Sequence, residues 1–160
     1  MTTPQGGQGG APAAAPPITE MNMTDEIKNA VNNALTEGNP VFVAYVDEEG
    51  QPSLSFRGST HVHSPNQLAI WVRNPEGGLG KALAKNPRVS LLYRNPQTRA
   101  MLQFKGTAHV ENAPDVRERV YDESPERERA ADPDKKGFPL IIDLARVDGM
   151  VPPQRFAMRK

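Results

Sequence analysis

The sequence predicts a mainly β domain in which six strands form a small barrel or a strongly curled sheet, with helices at the connections. Short strand-like segments, separated by turn signals, recur between residues 41 and 147, and only two or three connections have helical character. The chain has 160 residues, of which 37% are hydrophobic, and this is enough for one domain with a substantial core. Closing the sheet into a barrel would remove most of its exposed edges.

Residues 1–20 are predicted to be a disordered tail, and residues 21–160 are predicted to form the folded domain. The segment from Met1 to about Pro17 is rich in Gly, Pro, Ala and Gln and carries no charged side chain. It has too little apolar surface to offset the conformational entropy that ordering would cost. We interpret it as a solubilising leader, with contact to a partner as the open alternative.

The first helix is predicted to begin at Thr24 and to end near Gly38. Thr24 suits the N-cap, and the two acidic residues that follow it are favourable at the positive end of the helix dipole. Glycine is common just past the end of a helix. One face carries apolar side chains at helical spacing, namely Ile27, Ala30, Val31, Ala34 and Leu35.

Six strands follow, most of them bounded by turn residues. They are predicted at Val41–Val46, Ser53–Thr60, Gln67–Arg73, Arg88–Tyr93, Ala100–Val110 and Leu140–Val147. The first two are joined by Asp47-Glu48-Glu49-Gly50, which is typical of a hairpin turn. Gly106, inside the fifth strand, indicates a β-bulge.

Two regions near the C-terminus are predicted to lie outside the sheet. Residues 113–129 are charged and should form two short surface helices, because Pro114 and Pro125 each suit a first helical position. From Asp148 onward we expect an irregular tail, because Pro152-Pro153 is incompatible with regular structure.

Composition limits the function classes. Formal net charge is zero, so no basic excess favours nucleic acid and no charged tail favours a membrane surface. There is no cysteine, which excludes disulfides, thiolate metal sites and a thiol nucleophile. No apolar run approaches the roughly 20 residues that span a bilayer, and the N-terminus does not resemble a signal peptide. We therefore expect a cytoplasmic protein that acts on a small molecule.

The segment from residue 71 to residue 87 is the most informative part of the chain. A strand ends at Arg73, a glycine-rich turn follows, and a short helix over about 78–86 carries Lys81 in its first turn. Two cations beside unpaired backbone N–H groups make a plausible cradle for one phosphate. The alternative is an ordinary strand–turn–helix connection with exposed cations.

This order of elements resembles the pyridoxamine 5′-phosphate oxidase-like family of flavin-binding split β-barrels. The resemblance covers roughly residues 24–147, and its most specific piece is the stretch from Lys81 to Leu92, which includes Asn86-Pro87-Arg88-Val89-Ser90-Leu91-Leu92. It implies a six-stranded split barrel, a homodimer, and flavin mononucleotide (FMN), or a deazaflavin in some branches, bound between the subunits.

The resemblance also implies roles for particular residues. Lys81 matches the family's phosphate-binding lysine, and Arg73 matches a strand position that faces the phosphate. Gly80 stands where the oxidase has an arginine, so one phosphate ligand is missing. Trp71, the only tryptophan, is a candidate to stack on the flavin ring, although packing in the barrel or at a dimer interface explains it equally well.

On the second strand, the resemblance places Arg57, Gly58, Ser59 and Thr60 beside the flavin. Arg57 would replace a basic residue that the family has two positions earlier. Gly58 would allow close approach of the ring, and backbone N–H groups of Gly58, Ser59 or Thr60 would bond the ring edge. On the fifth strand, Met101 or Gln103 lies near the position of a glutamine of the family, and Gln103 is the better chemical candidate.

The sequence leaves the reaction open. It lacks the C-terminal arginine–histidine signature of the oxidase proper, so pyridoxamine 5′-phosphate is not the expected substrate. No nucleophile–base set identifies catalytic residues, and we assign none. We predict an FMN-dependent oxidoreductase, with a deazaflavin-dependent reductase or a non-enzymatic flavin- or haem-binding protein as alternatives. His61-x-His63 is compatible with a metal, but turn-proximal polar residues explain it as well, and we predict no metal site.

Overall fold

The computed structural model describes residues 10–160, which contain nine strands and four helices. The strands are β1 (Thr19–Glu20), β2 (Phe42–Val46), β3 (Pro52–Phe56), β4 (His61–Ser64), β5 (Gln67–Val72), β6 (Arg88–Asn95), β7 (Ala100–Val110), β8 (Phe138–Val151) and β9 (Gln154–Arg159). The helices are α1 (Asp25–Asn32), α2 (Leu79–Lys85), α3 (Pro114–Glu123) and α4 (Glu126–Ala130). The predicted mainly β fold with flanking helices is confirmed.

All strands belong to one sheet whose main path runs β1-β9-β8-β7-β6-β2-β3. Every pair is antiparallel except β1 with β9. The 14-residue strand β8 organises the sheet, because β7 pairs along most of it while β5 and β9 pair with its first and second halves. The sheet therefore branches at β8 and curls around a shared core.

The bulge predicted at Gly106 is confirmed. The register between β7 and β8 shifts between Lys105 and Gly106, which leaves Ala145 of β8 without an opposite residue. A Cβ atom on Gly106 would lie 2.1 Å from the Asp143 carbonyl oxygen. Only glycine therefore allows the two backbones to approach so closely at this point.

The core lies between the inner face of the sheet and α1. Ile27 and Val31 of α1 are fully buried, as the helical spacing predicted. α1 ends at Asn32, earlier than the predicted end near Gly38, and turns lead from there to Gly38, whose φ of +78° lies in the left-handed region that glycine favours. The largest buried side chains from the sheet include Leu68, Ile70, Tyr93, Leu102, Phe104, Leu140 and Ile142.

Two predictions about the strands were wrong. The segment Ser53–Thr60 is not one strand, because β3 ends at Phe56 and residues 57–60 form a tight turn before β4. Both the N–H and the hydroxyl of Thr60 donate to the Arg57 carbonyl, at 3.1 and 2.7 Å, and this closes the turn.

The chain after Asp148 is not irregular. β8 continues to Val151, and β9 returns antiparallel to it, with Val151 opposite Gln154. Pro152 and Pro153 form the turn between these strands, where no ladder N–H is required, so the two prolines end a strand without breaking the sheet.

The predicted tail is only partly described. Its first nine residues lie outside the described residues. Residues 10–18 contain no helix or strand, and residues 19 and 20 form β1 rather than tail. Disorder of the preceding segment stays a prediction. Among the helices of residues 10–160, none combines the length and the apolar character that crossing a bilayer would need.

Candidate functional site

The turn of residues 57–60 is fixed to strand β5 by Ser59. The Ser59 side chain is buried, its hydroxyl donates to the Trp71 carbonyl at 2.9 Å, and it accepts from the Trp71 N–H at 3.0 Å. The Ser59 and Thr60 hydroxyls, and the Thr60 N–H that we predicted as a ring-edge donor, are therefore engaged within the protein. Within residues 10–160, the backbone N–H groups of Gly58 and Ser59 donate no hydrogen bond, so these two groups are the turn's remaining donors.

A cavity of about 780 Å³, here called the main cavity, lies beside this turn. Its walls are the turn, the end of β5 with the residues that follow it, and helix α4. Its charged lining consists of Arg57, Arg73, Arg127, Lys136, Glu128 and Asp132. Four cations face two carboxylates in a chain whose formal net charge is zero, so the main cavity is a local site of positive charge.

Arg57 is a partly buried cation that lines the main cavity. Its Nε atom is buried and has no hydrogen-bond partner within residues 10–160. Burial lowers the pKa of Arg57 from its usual value; nearby Arg73 adds to this lowering, whereas Tyr45 and Glu128 oppose it. A buried donor without an acceptor is costly, and an anionic group would relieve that cost.

Arg73 lies across the main cavity and is paired with a residue of α4. Its Nε atom lies 3.2 Å from Oε2 of Glu128, and the Arg73 side chain is about half exposed. The Glu128 side chain is only 15% exposed. A Cβ atom on Gly58 would lie 2.7 Å from Oε1 of Glu128. The space beside Gly58, which we expected a ligand to use, is therefore occupied in this structure by the Glu128 carboxylate and the Leu35 side chain.

Trp71 is a packing residue in this structure. Its ring is buried against Tyr121 in an edge-to-face arrangement with 5.1 Å between centroids, and the Arg117 guanidinium lies 4.9 Å from it. Its indole Nε1 donates to Oδ2 of Asp132 at 2.8 Å. Trp71 therefore supports the wall of the main cavity, in agreement with the packing interpretation of the sequence.

Asp132 was missed by the sequence analysis. It also accepts hydrogen bonds from the N–H groups of Lys136 at 3.0 Å and Gly137 at 2.9 Å. Burial alone would raise the pKa of Asp132, but these three donors and nearby Arg117 lower it overall. An aspartate at the start of a loop that ends in glycine is a recognisable sequence signal for hydrogen bonds to the loop backbone. The bond of Asp132 to a tryptophan 61 positions away has no such signal.

The structure separates Lys81 and Gln103 from the main cavity. Lys81 is exposed and lines a depression of about 300 Å³ that also includes Gly80, Val110 and Phe138. Arg73 does not line that depression, but Pro75 borders both spaces. Gln103 lies on the outer face of the sheet, in a shallow groove of about 290 Å³.

This outer side carries an exposed apolar surface, here called the apolar face and formed by Phe42, Leu54, Phe56 and Leu92. Leu54 and Phe56 are 67% and 60% exposed. The register places Phe56, Phe42, Leu92 and Gln103 in one row across four strands, and the Phe42 and Phe56 rings lie 4.2 Å apart. Phe56 also lines the main cavity, so the apolar face and the cavity adjoin.

His61 is the first residue of β4 and directly follows the turn of residues 57–60. Its Nδ1 lies 2.7 Å from the Ser59 carbonyl and must carry the proton that this bond needs. Its Nε2 is buried without a hydrogen-bond partner among the described residues, 3.7 Å from Oε2 of Glu123. Within residues 10–160, no group of three or more His, Cys, Asp or Glu side chains is gathered for a metal ion.

The buried imidazole predicts a loss of stability in mild acid. Burial lowers the pKa of His61 from 6.5, with smaller lowering effects of His63 and Arg119, while the Ser59 carbonyl and Glu123 oppose it. As the pH falls below 6.5, the unfolded chain binds a proton that the folded chain does not, so the free energy of unfolding decreases.

We expect urea unfolding between about pH 7.5 and pH 5.5 to show this decrease, at no more than about 1.4 kcal/mol per pH unit for one group. His61→Gln should flatten the dependence clearly. His63→Gln should flatten it less, because its pKa is also lowered by burial but its side chain is more exposed. An unchanged slope in His61→Gln would contradict the assignment.

Comparisons with known proteins agree with this architecture. A family model described as pyridoxamine 5′-phosphate oxidase matches residues 23–146. No curated protein matches the sequence. Among solved structures, HupZ of Group A Streptococcus is 18% identical with a TM-score of 0.64, covering 83% of this chain and 98% of its own.

Two further structures have the same fold. A putative pyridoxamine 5′-phosphate oxidase from Lactobacillus delbrueckii is 21% identical with a TM-score of 0.58, covering 79% of this chain and 93% of its own. A putative 5-nitroimidazole antibiotic resistance protein from Bacteroides thetaiotaomicron is 16% identical with a TM-score of 0.56, covering 76% and 82%. At such identities, the likeness shows the fold alone, and the split-barrel prediction is confirmed.

Proposed function

This chain belongs to the pyridoxamine 5′-phosphate oxidase family, and from that premise we propose that it is an oxidoreductase that binds FMN in the main cavity. The observation that carries the proposal is the unpartnered Nε of Arg57 in a cavity where cations outnumber carboxylates. The volume of the main cavity also lies within the range of about 300–1,000 Å³ that is usual for small-molecule sites.

The residues of the main cavity fit a phosphate-bearing ligand. Arg57 and Arg73 supply the cations, and the free N–H groups of Gly58 and Ser59 supply neutral donors for a ring edge. Lys81 would contribute only if the ligand extends over Pro75 into the neighbouring depression. Bound flavin would supply the redox chemistry, and the protein would position it and exclude water.

We also propose that two copies of the chain associate through the apolar face. Large exposed apolar side chains on one continuous surface are typical of an interface. Because Phe56 belongs to both the apolar face and the cavity wall, a second subunit on this face would lie beside the bound ligand. Gln103, in the same row, would then lie in the interface rather than deep in the cavity.

The proposal predicts that Arg57→Ala weakens FMN binding. Loss of one charge-assisted hydrogen bond, about 1.5–3 kcal/mol, should raise the Kd about 10- to 150-fold. The measurement is a titration of flavin fluorescence with purified protein. Lys81→Ala, titrated in parallel, tests whether the ligand extends past Pro75 into the neighbouring depression. Arg88→Ala is the control: it removes an exposed cation that lines a different groove, and it should not change the affinity for FMN.

The spectrum of the purified protein separates the alternatives. A flavin spectrum supports the proposal, a Soret band would replace it with haem binding, and binding of a deazaflavin without FMN would replace it with a deazaflavin reductase. Turnover of an acceptor with a nicotinamide donor would distinguish an enzyme from a binding protein. An FMN affinity that is the same in Arg57→Ala as in the parent would overturn the assignment of the site.

A further inference from the structure

Glu128 holds an unusual place for a carboxylate. It lines the main cavity, its carboxylate lies against the position that a Cβ atom on Gly58 would take, and it is paired with Arg73 at 3.2 Å. Its charge also acts on Arg57, whose Nε has no partner. An anion of this chain therefore interacts with two of the four cations that line the cavity.

Helix α4, which carries Glu128, is attached to the rest of the protein mainly at its C-terminal side. α4 has five residues, none of them buried. Its backbone bonds within the helix begin at the Pro125 carbonyl, which accepts from Glu128 and Arg129. The firm attachments lie at its C-terminal side, where the Tyr121 hydroxyl bonds to the carbonyls of Arg129 and Asp132, both at 3.0 Å. Because α4 contributes no residue to the buried core, a movement of Glu128 out of the cavity would not remove a core residue.

We infer that Glu128 is a displaceable internal anion: it fills the position of the ligand's anionic group and selects for ligands that carry a dianion. A phosphate group brings up to two charges and three acceptor oxygens to Arg57 and Arg73, and so outcompetes a single carboxylate. A neutral ligand leaves Glu128 in place and meets a partly filled cavity. The inference rests on the proposed function for the identification of the ligand as FMN. The competition between a ligand anion and Glu128 does not depend on that identification.

The mechanism is a competition for the same cations. Each anionic ligand that binds must first break the pair between Arg73 and Glu128, so its apparent affinity is its intrinsic affinity multiplied by the fraction of molecules in which that pair is open. Removing the charge of Glu128 while keeping its size should therefore strengthen the binding of anions. It should not strengthen the binding of a neutral ligand with the same ring.

The test compares three titrations on the full chain: FMN, riboflavin, which has the same ring without phosphate, and inorganic phosphate alone, each followed by calorimetry. In Glu128→Gln, we expect the affinity for FMN and for phosphate to rise about tenfold or more, with riboflavin binding changed less than twofold. Glu126→Gln is the matched control, because it removes an exposed carboxylate from the same helix and should change neither affinity. Thermal melting of each variant shows that it is folded.

The outcomes separate this inference from the proposed function. If FMN binds the parent chain but Glu128→Gln binds FMN and phosphate no more tightly, the inference is wrong and the function stands. If no flavin binds either chain but phosphate binds Glu128→Gln more tightly, the inference stands and the function is wrong. Equal gains for FMN and riboflavin, or no gain for any of the three ligands, would overturn the inference.

Discussion

Asp132→Ala should lower the free energy of unfolding by about 3 kcal/mol. The substitution removes the acceptor for the Trp71 indole N–H and for the backbone N–H groups of Lys136 and Gly137. Asp132 is only 7% exposed, so water can replace these bonds only in part. Buried donors that lose their acceptor cost about 1–3 kcal/mol each, which sets the scale of the effect.

The measurement is urea unfolding followed by the fluorescence of Trp71, the only tryptophan of the chain. Asp134→Ala, an exposed aspartate in the same loop, is the control and should have little effect. The pKa of Asp132 is lowered in the folded chain from 3.8, so the stabilisation is present above that pH and is lost as the pH falls through the lowered value. The difference in the free energy of unfolding between the parent chain and Asp132→Ala should therefore shrink in strong acid. A difference that does not change with pH would contradict the role of the ionised Asp132 carboxylate.

Phe56→Lys should convert the proposed dimer to monomers. Phe56 is 60% exposed, packs against Phe42, and lies on the edge strand β3 at the end of the apolar row. Loss of an aromatic anchor at an interface costs about 2 kcal/mol or more, and a buried lysine without a partner adds to that. The dissociation constant of the dimer should therefore rise at least about 30-fold.

Sedimentation or light scattering over a range of protein concentrations measures this change. Val110→Lys provides the control, because Val110 is exposed and apolar but lies at the far end of β7. A parent chain that is monomeric at all concentrations would refute association through the apolar face. Equal dissociation in both variants would mean that the interface lies elsewhere.

The elements that the sequence predicted well depend on local patterns. Ala100–Val110 is a strand with the predicted bounds, and the turn at Gly50 and the bulge at Gly106 follow from residues that need particular backbone geometry. The hairpin of β8 and β9 was missed because two prolines were taken to end the sheet, although they lie in the turn itself.

The site was predictable only in part, because its decisive contacts join distant segments. Residues 57–60 were selected through the resemblance, although as part of a strand and not as a turn. The approach of Glu128 to Gly58 joins residues 70 positions apart and leaves no local signal. Gln103 could have been placed better. It lies between Leu102 and Phe104, both fully buried, and strand alternation therefore puts it on the outer face.

Phe56 borders the main cavity and the apolar face at once. In the proposed dimer with its proposed cofactor, subunit association and cofactor retention would be coupled reciprocally, and each would strengthen the other by the same factor. Dilution of the protein would release cofactor, and saturation with cofactor would hold the subunits together at concentrations where the empty chains separate.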